Sequence, residues 1–357
     1  MQYRILHTEA SLGWGGQELR IYQEALGMKK RGHWVGLAAS PESQIFKHVQ
    51  ETGLPVFSLP LERRSFNAIW QLLNLIKKEN ISILNTHSSW DSWVGGIVKM
   101  VYPKFRLIRT RHLSTPIGKN PLSRLIYNIL PDAVITTGEA IREKMIKYNR
   151  FNPDKIISIP TGVDLERFDP KKVQPVLNKG SFLIGMVSVL RSWKGHKYFI
   201  SAVPEILKQI PKAKFYIVGD GPQKENICRQ IEQMGLENKV FMLGYRKDVP
   251  EILASLNIIV HPSTGHEGVP QTVLQALAMQ KPIVTTNVGG IPEVIQDHYT
   301  GILIPPCDSQ AIAQAVINLF KNPVLSKKLG ENGRRLVEKY YSFEAMLDKV
   351  ERVYADV

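Results

Sequence analysis

The sequence predicts an α/β protein made of two successive domains, each a parallel sheet flanked by helices. Three observations predict it. Short apolar runs alternate with amphipathic stretches from one end of the chain to the other. The alternation is interrupted once, at residues 164–180, where Asp169-Pro170-Lys171-Lys172 lies in a stretch without regular periodicity. A chain of 357 residues is long enough for two domains with full hydrophobic cores.

Taken in order, strands are expected in the first half at residues 4–7, 34–38, 56–58, 81–86, 106–110, 133–137 and 156–159. Helical periodicity fills the gaps. Over residues 66–78, for example, Ile69, Leu72, Leu73 and Ile76 share one face. The pattern restarts at Ser181, with strands expected at 183–189, 214–218, 239–243, 258–260, 282–285 and 302–304. Two Rossmann-like domains facing across a cleft follow, residues 1–165 and 181–340, with 166–180 as a linker.

Composition narrows the function classes. No apolar run approaches the ~18 residues of a membrane-spanning helix, and the N-terminus enters a strand at once, without a signal-peptide core. Cys228 and Cys307 are too few for a disulfide framework, which fits a reducing cytoplasm. No His/Cys cluster has zinc-ligand spacing. The net charge of +14 is uneven: residues 1–165 hold 22 Lys and Arg against 13 Asp and Glu, the remainder 24 against 19. A basic first half points to a lysine-rich surface, an anionic membrane or an anionic acceptor. None of the known nucleic-acid modules is present, so nucleic acid is not expected as a partner.

The densest motif runs from His261 to Asp308. Two apolar runs, 256–260 and 281–285, read as buried strands, each followed by a glycine-containing loop and a helix start. After the first come Glu267 and Gly268, with Pro270 placed for the first helical position. After the second come Gly289 and Gly290, then Pro292 and Glu293. In a parallel sheet both loops lie at the carboxyl ends of strands, where ligands bind. Two helix N-termini there would make an anion site, with Glu267 beside them as a hydroxyl acceptor. A ligand carrying a diphosphate and a polyhydroxyl ring, a nucleotide-sugar, satisfies both.

Two glycine loops are near misses for a dinucleotide fingerprint. In Gly13-Trp14-Gly15-Gly16-Gln17-Glu18 the third glycine is replaced by Glu18, and in Gly219-Asp220-Gly221 by Lys224. Arg191-Ser192-Trp193-Lys194-Gly195 follows a strand, where a cation can neutralise a diphosphate. His87 and His112 each follow a strand of the first domain. None of the eleven Asp residues has another Asp two positions away, so a D-x-D metal motif is lacking. A glycosidase-type carboxylate pair is lacking as well.

Glu267-Gly268-Val269-Pro270 resembles the E-G-x-P-x-x-x-x-E hallmark of the retaining GT-B glycosyltransferases of nucleotide-sugar family four (glycosyl transferases group 1). Gln275 stands where that family has its second Glu. The resemblance extends over nearly the whole chain and implies an acceptor-binding first domain and a nucleotide-sugar-binding second domain. It also implies a terminal helix, residues 341–357, that returns to the first domain. It further implies transfer with retention by a front-face route, with a nucleotide-diphosphate sugar as co-substrate. No cofactor and no obligatory metal are expected.

Residue by residue, the resemblance places Glu267, Gly268, Val269 and Pro270 at the donor sugar and Gln275 at the ribose. It places Gly15, Gly16, Lys194, Gly221 and Tyr245 at the diphosphate or nucleotide. The family's Arg falls on Val189 here, and Arg191, two residues on and expected on the same strand face, is its substitute. His112 matches the position that reaches the donor from the acceptor side, to polarise and not as a nucleophile. Glu139 matches the acidic start of a family helix, and a first-turn helix acid explains it equally well. His87 and Trp14 are acceptor-side candidates, against the plain alternative of structural residues.

The acceptor is expected to be lipid-linked or a cell-envelope glycan of lipopolysaccharide type. The enzyme would then be cytoplasmic and peripheral on the inner membrane face. The motive is Arg63-Arg64, Lys77-Lys78, Lys99, Lys104, Arg106, Arg109 and Arg111, interleaved with apolar residues. Segment 119–130 adds Leu122, Leu125, Ile126 and Ile129 at helical spacing beside Lys119 and Arg124. The competing readings are a small soluble acceptor, a non-catalytic glycosyltransferase-like partner protein, and a nucleotide-sugar epimerase or hydrolase of the same fold. Sequence support for a phosphorylase is lacking, because no pyridoxal-phosphate lysine site is evident.

Overall fold

The computed structural model describes residues 2–61, 65–112, 115–177, 180–265 and 267–357. Arg63 and Arg64, part of the expected basic surface, lie outside the described residues. The chain divides into two compact units, Met1–Pro160 with Met346–Val357, and Thr161–Ala345.

The first unit is built on β1 (Arg4–Glu9), β2 (Trp34–Ala39), β3 (Val56–Ser58), β4 (Ile83–Thr86), β5 (Arg106–Arg111), β6 (Ala133–Thr136) and β7 (Ile156–Ser158). These are the seven expected strands, with ends moved by one or two residues. They pair in parallel in the order β3-β2-β1-β4-β5-β6-β7. β4 and β6 are buried at every residue, as parallel strands covered on both faces must be. The order reverses at β1, so the next strand in sequence to reach β1's free side is β4. The carboxyl ends of β1, β4 and β5 are thereby neighbours, the place where an open α/β sheet leaves a crevice.

The segment expected as one amphipathic helix over 119–130 is split. Asn120 Oδ1 accepts the Ser123 N–H at 2.8 Å and starts a helix at Pro121–Arg124, which widens into a π turn at Leu125–Ile129. The widening separates the apolar residues: Ile126 is buried, whereas Leu122 and Ile129 are each 57% exposed. Basic residues Lys119 and Arg124 are also exposed or half-exposed.

The last helix, Phe343–Asp356, enters the first unit from residue 346 onward and is tied there twice. Glu351 accepts from Arg31 at 2.7 Å and lies 2.9 Å from His33 Nε2, and Asp348 pairs with Arg31 at 2.8 Å. Deeper, the Tyr354 hydroxyl donates to Glu24 Oε1 at 3.2 Å and accepts from Asn85 Nδ2 at 3.1 Å. Glu24 in turn faces Arg20, buried with it at 3.5 Å, and Arg20 donates to the Ile159 carbonyl at 2.6 Å. The C-terminal helix therefore completes a polar core that the sheet cannot satisfy alone.

The second unit repeats the plan with β8 (Leu183–Val187), β9 (Lys214–Val218), β10 (Val240–Gly244), β11 (Ile258–His261), β12 (Ile283–Thr286) and β13 (Ile302–Ile304), ordered β10-β9-β8-β11-β12-β13. The order again reverses, between β8 and β11. Residues 161–177 belong to this unit: Val163 and Phe168 are buried in its core, with Val173 and Leu177 packed against it. Arg334 clamps this stretch by donating to the Phe168 and Ala278 carbonyls at 2.7 and 2.8 Å. The described part of the expected linker is thus packed structure, because Phe168 supplies the apolar contact that a free linker lacks.

Removing the Tyr354 hydroxyl takes one partner each from the buried Asn85 and Glu24. Tyr354→Phe is expected to lower unfolding stability by about 1–3 kcal/mol with little loss of volume. Denaturant unfolding checks this, and an unchanged midpoint would mean that water replaces the hydroxyl.

Candidate functional site

In the second unit the chain leaves β8 at Val187, two residues earlier than expected. Val189 and Arg191 are consequently in the loop, so the idea that Arg191 shares a strand face with position 189 does not hold. A 3-10 turn, Ser192–Lys194, follows and closes on Gly195 at φ +81°. A Cβ at Gly195 would sit 1.9 Å from the Pro262 carbonyl oxygen, so only glycine lets this turn press onto the loop after β11.

That approach sets Lys194 Nζ 2.6 Å from Glu267 Oε1. Ser263 Oγ donates to the same oxygen at 2.6 Å, and His261 Nε2 lies 3.1 Å from Ser263 Oγ and 3.7 Å from Oε1. Lys194, Ser263 and His261 are thus gathered around Oε1. Glu267 is only 6% exposed. Burial by itself pushes its carboxyl up, but Lys194 and His261 more than offset this and hold it down at about 2. His261 is pushed down by its own burial, against the pull of Glu267.

The loop after β12 presses on the backbone of Glu267. Gly289, at φ +58°, would place a Cβ 2.2 Å from the Glu267 carbonyl oxygen, so a side chain there would expel the loop. The two expected helix starts differ. Gln271–Ala278 is an α-helix with Pro270 as its N-cap, one residue before the expected position. The second is a three-residue 3-10 turn, Ile291–Glu293. A single short turn aligns too few peptide dipoles to act as a helix N-terminus, so the expected pair of helix dipoles is reduced to one.

The other donor-side candidates flank this centre. Gly268 is half-buried at the turn, whereas Val269 and Pro270 are buried. Gln275 is half-buried one turn into the helix. Gly221 has φ +152° and lies against Leu190, whose N–H donates to the Asp220 carbonyl at 3.0 Å. Tyr245 is exposed at the end of β10, and Arg246 is bound by Asp248 at 2.5 and 2.7 Å. Arg191 is exposed, its guanidinium 5.2 Å from the Trp193 ring centroid.

In the first unit, Gly15 caps the helix Gly16–Lys30, and its N–H is held by Glu18 Oε2 at 2.8 Å. A Cβ at Gly16 would meet nothing within 4 Å, so the loop surface above it is open to a ligand. Trp14 stacks flat on His48, with centroids 4.0 Å apart and planes 11° from parallel. Glu139 is the first residue of Glu139–Lys147 and pairs with Arg142 at 2.6 Å, the contact a first-turn acid makes.

His87 and His112 are brought into direct contact, His87 Nδ1 to His112 Nε2 at 3.0 Å, and His87 Nε2 lies 3.0 Å from Nδ1 of His7. His87 is buried and has both nitrogens engaged, so it backs His112 and does not itself face a ligand. Asp91 orders this end of the sheet by accepting from Thr8 Oγ1, the His87 and Ser92 amides and Ser88. Burial and the nearby Asp91 raise Glu9 to about 8, against hydrogen bonds from the Ser11 amide and Gln17.

His7, His261 and Ser263 had no signal as isolated residues. His7 lies inside an apolar strand, and Ser263 is one hydroxyl in a polar loop. Their role emerges only when strand order sets them beside His87 and Glu267.

Comparison with known proteins agrees with this geometry. Residues 14–167 match the profile described as Glycosyltransferase Family 4, and residues 168–336 match Glycosyl transferases group 1. The chain is 28% identical over 312 residues to the Escherichia coli UDP-Gal:alpha-D-GlcNAc-diphosphoundecaprenol alpha-1,3-galactosyltransferase, covering 82% of this chain and 80% of that one. It is 27% identical over 301 residues to the Bacillus anthracis N-acetyl-alpha-D-glucosaminyl L-malate synthase, covering 80% and 78%. Among solved structures, a Rickettsia africae glycosyltransferase superposes with a TM-score of 0.90 at 23% identity, over 99% of this chain and 98% of that one. Anabaena HepE in complex with UDP superposes at 0.87 and 19% identity, over 99% and 100%. This chain belongs to the family 4 glycosyltransferases, the glycosyl transferases of group 1, and has their GT-B architecture of two Rossmann-like, parallel-sheet domains.

Proposed function

We propose that this glycosyltransferase moves a sugar, with retention of anomeric configuration, from a nucleotide-diphosphate sugar to a hydroxyl of a lipid-linked or cell-envelope acceptor, without an obligatory metal. The observation that carries the donor half is the Lys194–Glu267 pair at the carboxyl ends of β8 and β11. Lys194 supplies a fixed cation for the diphosphate charge that grows as the bond to the sugar breaks, and the exposed Arg191 adds a second. Glu267 stays ionised and offers Oε2 to sugar hydroxyls and to the positive charge of an oxocarbenium-like transition state. In the front-face route the acceptor oxygen attacks the side the diphosphate leaves, and a leaving phosphate oxygen takes its proton. Gln275 meets the ribose as a neutral donor and acceptor. His112 is the polarising imidazole of the first domain. The lack of a D-x-D pair supports charge neutralisation by protein cations alone.

The acceptor reading rests on charge and exposed apolar side chains in the first unit. Phe66 is 85% and Trp70 58% exposed on one face of the helix Phe66–Lys78, which ends in Lys77 and Lys78. Leu122, Ile129, Lys119 and Arg124 are exposed on a second segment of the same unit, and side chains of these kinds suit an anionic lipid interface. No helix among the described residues is long and apolar enough to cross a membrane. The E. coli relative carries a diphosphoundecaprenol-linked sugar in its name, which favours a lipid-linked acceptor here. The malate synthase relative favours the second reading, a small soluble acceptor.

Three outcomes test this reading. Nucleotide release from a donor screen is expected to persist in EDTA, and Lys194→Ala to lose about 2–4 kcal/mol of transition-state stabilisation, with Arg191→Ala milder. A strict divalent-metal requirement, or an undiminished Lys194→Ala at saturating donor, would sink the donor assignment. Inversion at the anomeric carbon, read by NMR of the product, would sink the front-face route.

Glu267→Gln is expected to cripple transfer, whereas Gln275→Glu is tolerated. Because the folded carboxyl sits below its ordinary 4.5, its stabilisation is complete above about 4.5 and is lost as pH falls toward about 2. That shift corresponds to on the order of 3 kcal/mol. The stability gap between parent and Glu267→Gln should therefore close over that acid window in denaturant melts. A gap independent of pH would show that the ion pair does not set it.

Co-sedimentation should favour anionic over neutral phospholipid vesicles, and the preference should weaken at high salt. Equal binding to both would move the acceptor to the small soluble class.

A further inference from the structure

Three histidines stand in line at the carboxyl ends of three neighbouring strands: His7 on β1, His87 just after β4 and His112 just after β5. Their rings are 5.2 and 5.3 Å apart by centroid and 22° and 33° from parallel. Each link is a single nitrogen-to-nitrogen hydrogen bond of 3.0 Å, His7 Nδ1 to His87 Nε2 and His87 Nδ1 to His112 Nε2. His7 Nε2 and His112 Nδ1 are therefore the two end nitrogens of the line. His7 Nε2 is buried without a hydrogen-bond partner.

Counting protons restricts the states of this line. All three rings are held neutral, chiefly because burial disfavours their charged forms. The positive charges of Arg20, Arg109 and Arg111 add to this at His87 and His112, and Glu24 opposes it at His7. Three neutral imidazoles carry three N–H groups, of which two make the inter-ring bonds. The third is either on His7 Nε2 or on His112 Nδ1. On His7 Nε2 it would be a donor sealed away from any acceptor, the kind of buried orphan that folded proteins rarely tolerate. His112 is only half-buried, so a proton on its Nδ1 is not sealed away in the same manner. With the third proton there, every bond runs outward: His7 Nδ1–H to His87 Nε2, and His87 Nδ1–H to His112 Nε2.

We propose that His7 and His87 are positioning residues that fix His112 in its Nδ1–H tautomer, so that His112 presents an N–H donor to an oxygen of a bound substrate. This rests on the glycosyltransferase reading for the identity of that oxygen, but not for the tautomer itself. The hydrogen bond at one ring nitrogen decides which nitrogen carries the proton, and a ring held in the wrong tautomer loses its function with its geometry intact. Neither residue touches substrate, so their effect passes entirely through His112.

The test is a long-range proton–nitrogen correlation spectrum of the full chain labelled with 15N-histidine, at neutral pH, with His112→Gln used to assign the His112 signals. The expected result is a protonated Nδ1 and a bare Nε2 on both His87 and His112. His7→Phe removes the first donor; it should let the Nε2–H form appear on His112 and lower kcat about tenfold or more, with KM for the donor little changed. His7→Asn, which keeps an amide N–H near the Nδ1 position, should restore both. A His112 carrying its proton on Nε2 in the parent overturns the proposal, as does a His7→Phe protein whose His112 tautomer is unchanged. If His7→Phe does not fold, the parent spectrum decides alone. Because that spectrum needs no turnover, failure to transfer any sugar would sink the enzymatic reading and leave the tautomer assignment to be judged separately.

Discussion

A carboxylate taken out of water stays charged only if positive charge and hydrogen bonds replace the lost hydration, and the ligand end of the second unit is organised around meeting that demand for Glu267. Lys194 and Ser263 reach one oxygen, and His261 stands behind Ser263. The glycines follow from the same demand. Gly195 lets the Lys194 turn close on the loop of Glu267, and Gly289 lets the next loop close beneath it. The cation and the anion therefore hold each other in place. The cost of orienting these charges is met in folding.

The first unit solves a different problem with the same kind of sheet. Its polar core holds Arg20, Glu24, Asn85 and Tyr354, closed by a helix from the far end of the chain. Toward the carboxyl ends of the strands the buried groups are neutral imidazoles in a row. Burial suits them neutral, and neutrality makes each a donor on one side and an acceptor on the other. A line of such groups has direction, whereas a line of cations would only repel. Each unit thus has its own buried chemistry at the strand ends, an ion pair in the second and oriented neutral imidazoles in the first.

The outer surface of the first unit has a separate origin. The π turn at Leu125–Ile129 rotates Ile126 inward and leaves Leu122 and Ile129 outside, so a stripe that is continuous in sequence is shared between core and surface. Helical spacing alone could not divide it. The exposed Phe66 and Trp70 arise because Ala68, Leu72 and Ile76 already fill the inward face of their helix.

Local pattern by itself determined the thirteen strands, the restart of the α/β plan after the interruption, and the glycine-containing loops at strand ends. Each of these depends on neighbours a few residues away: period-two or buried apolar runs, and the glycines and prolines that punctuate them. Glu267 and Lys194 were legible because their residue types and spacing form an ordered motif. What only the tertiary structure decided was which of these residues touch. Strand order set His7, His87 and His112 side by side across more than a hundred residues of sequence, and joined Ser263 and His261 to Glu267 through a folded loop. It also shortened β8, removing Arg191 from the strand, and reduced the second expected helix start to a single turn at Ile291–Glu293. Contacts of this kind depend on how strands are ordered and how closely loops approach, and neither quantity is carried by any local stretch of the chain.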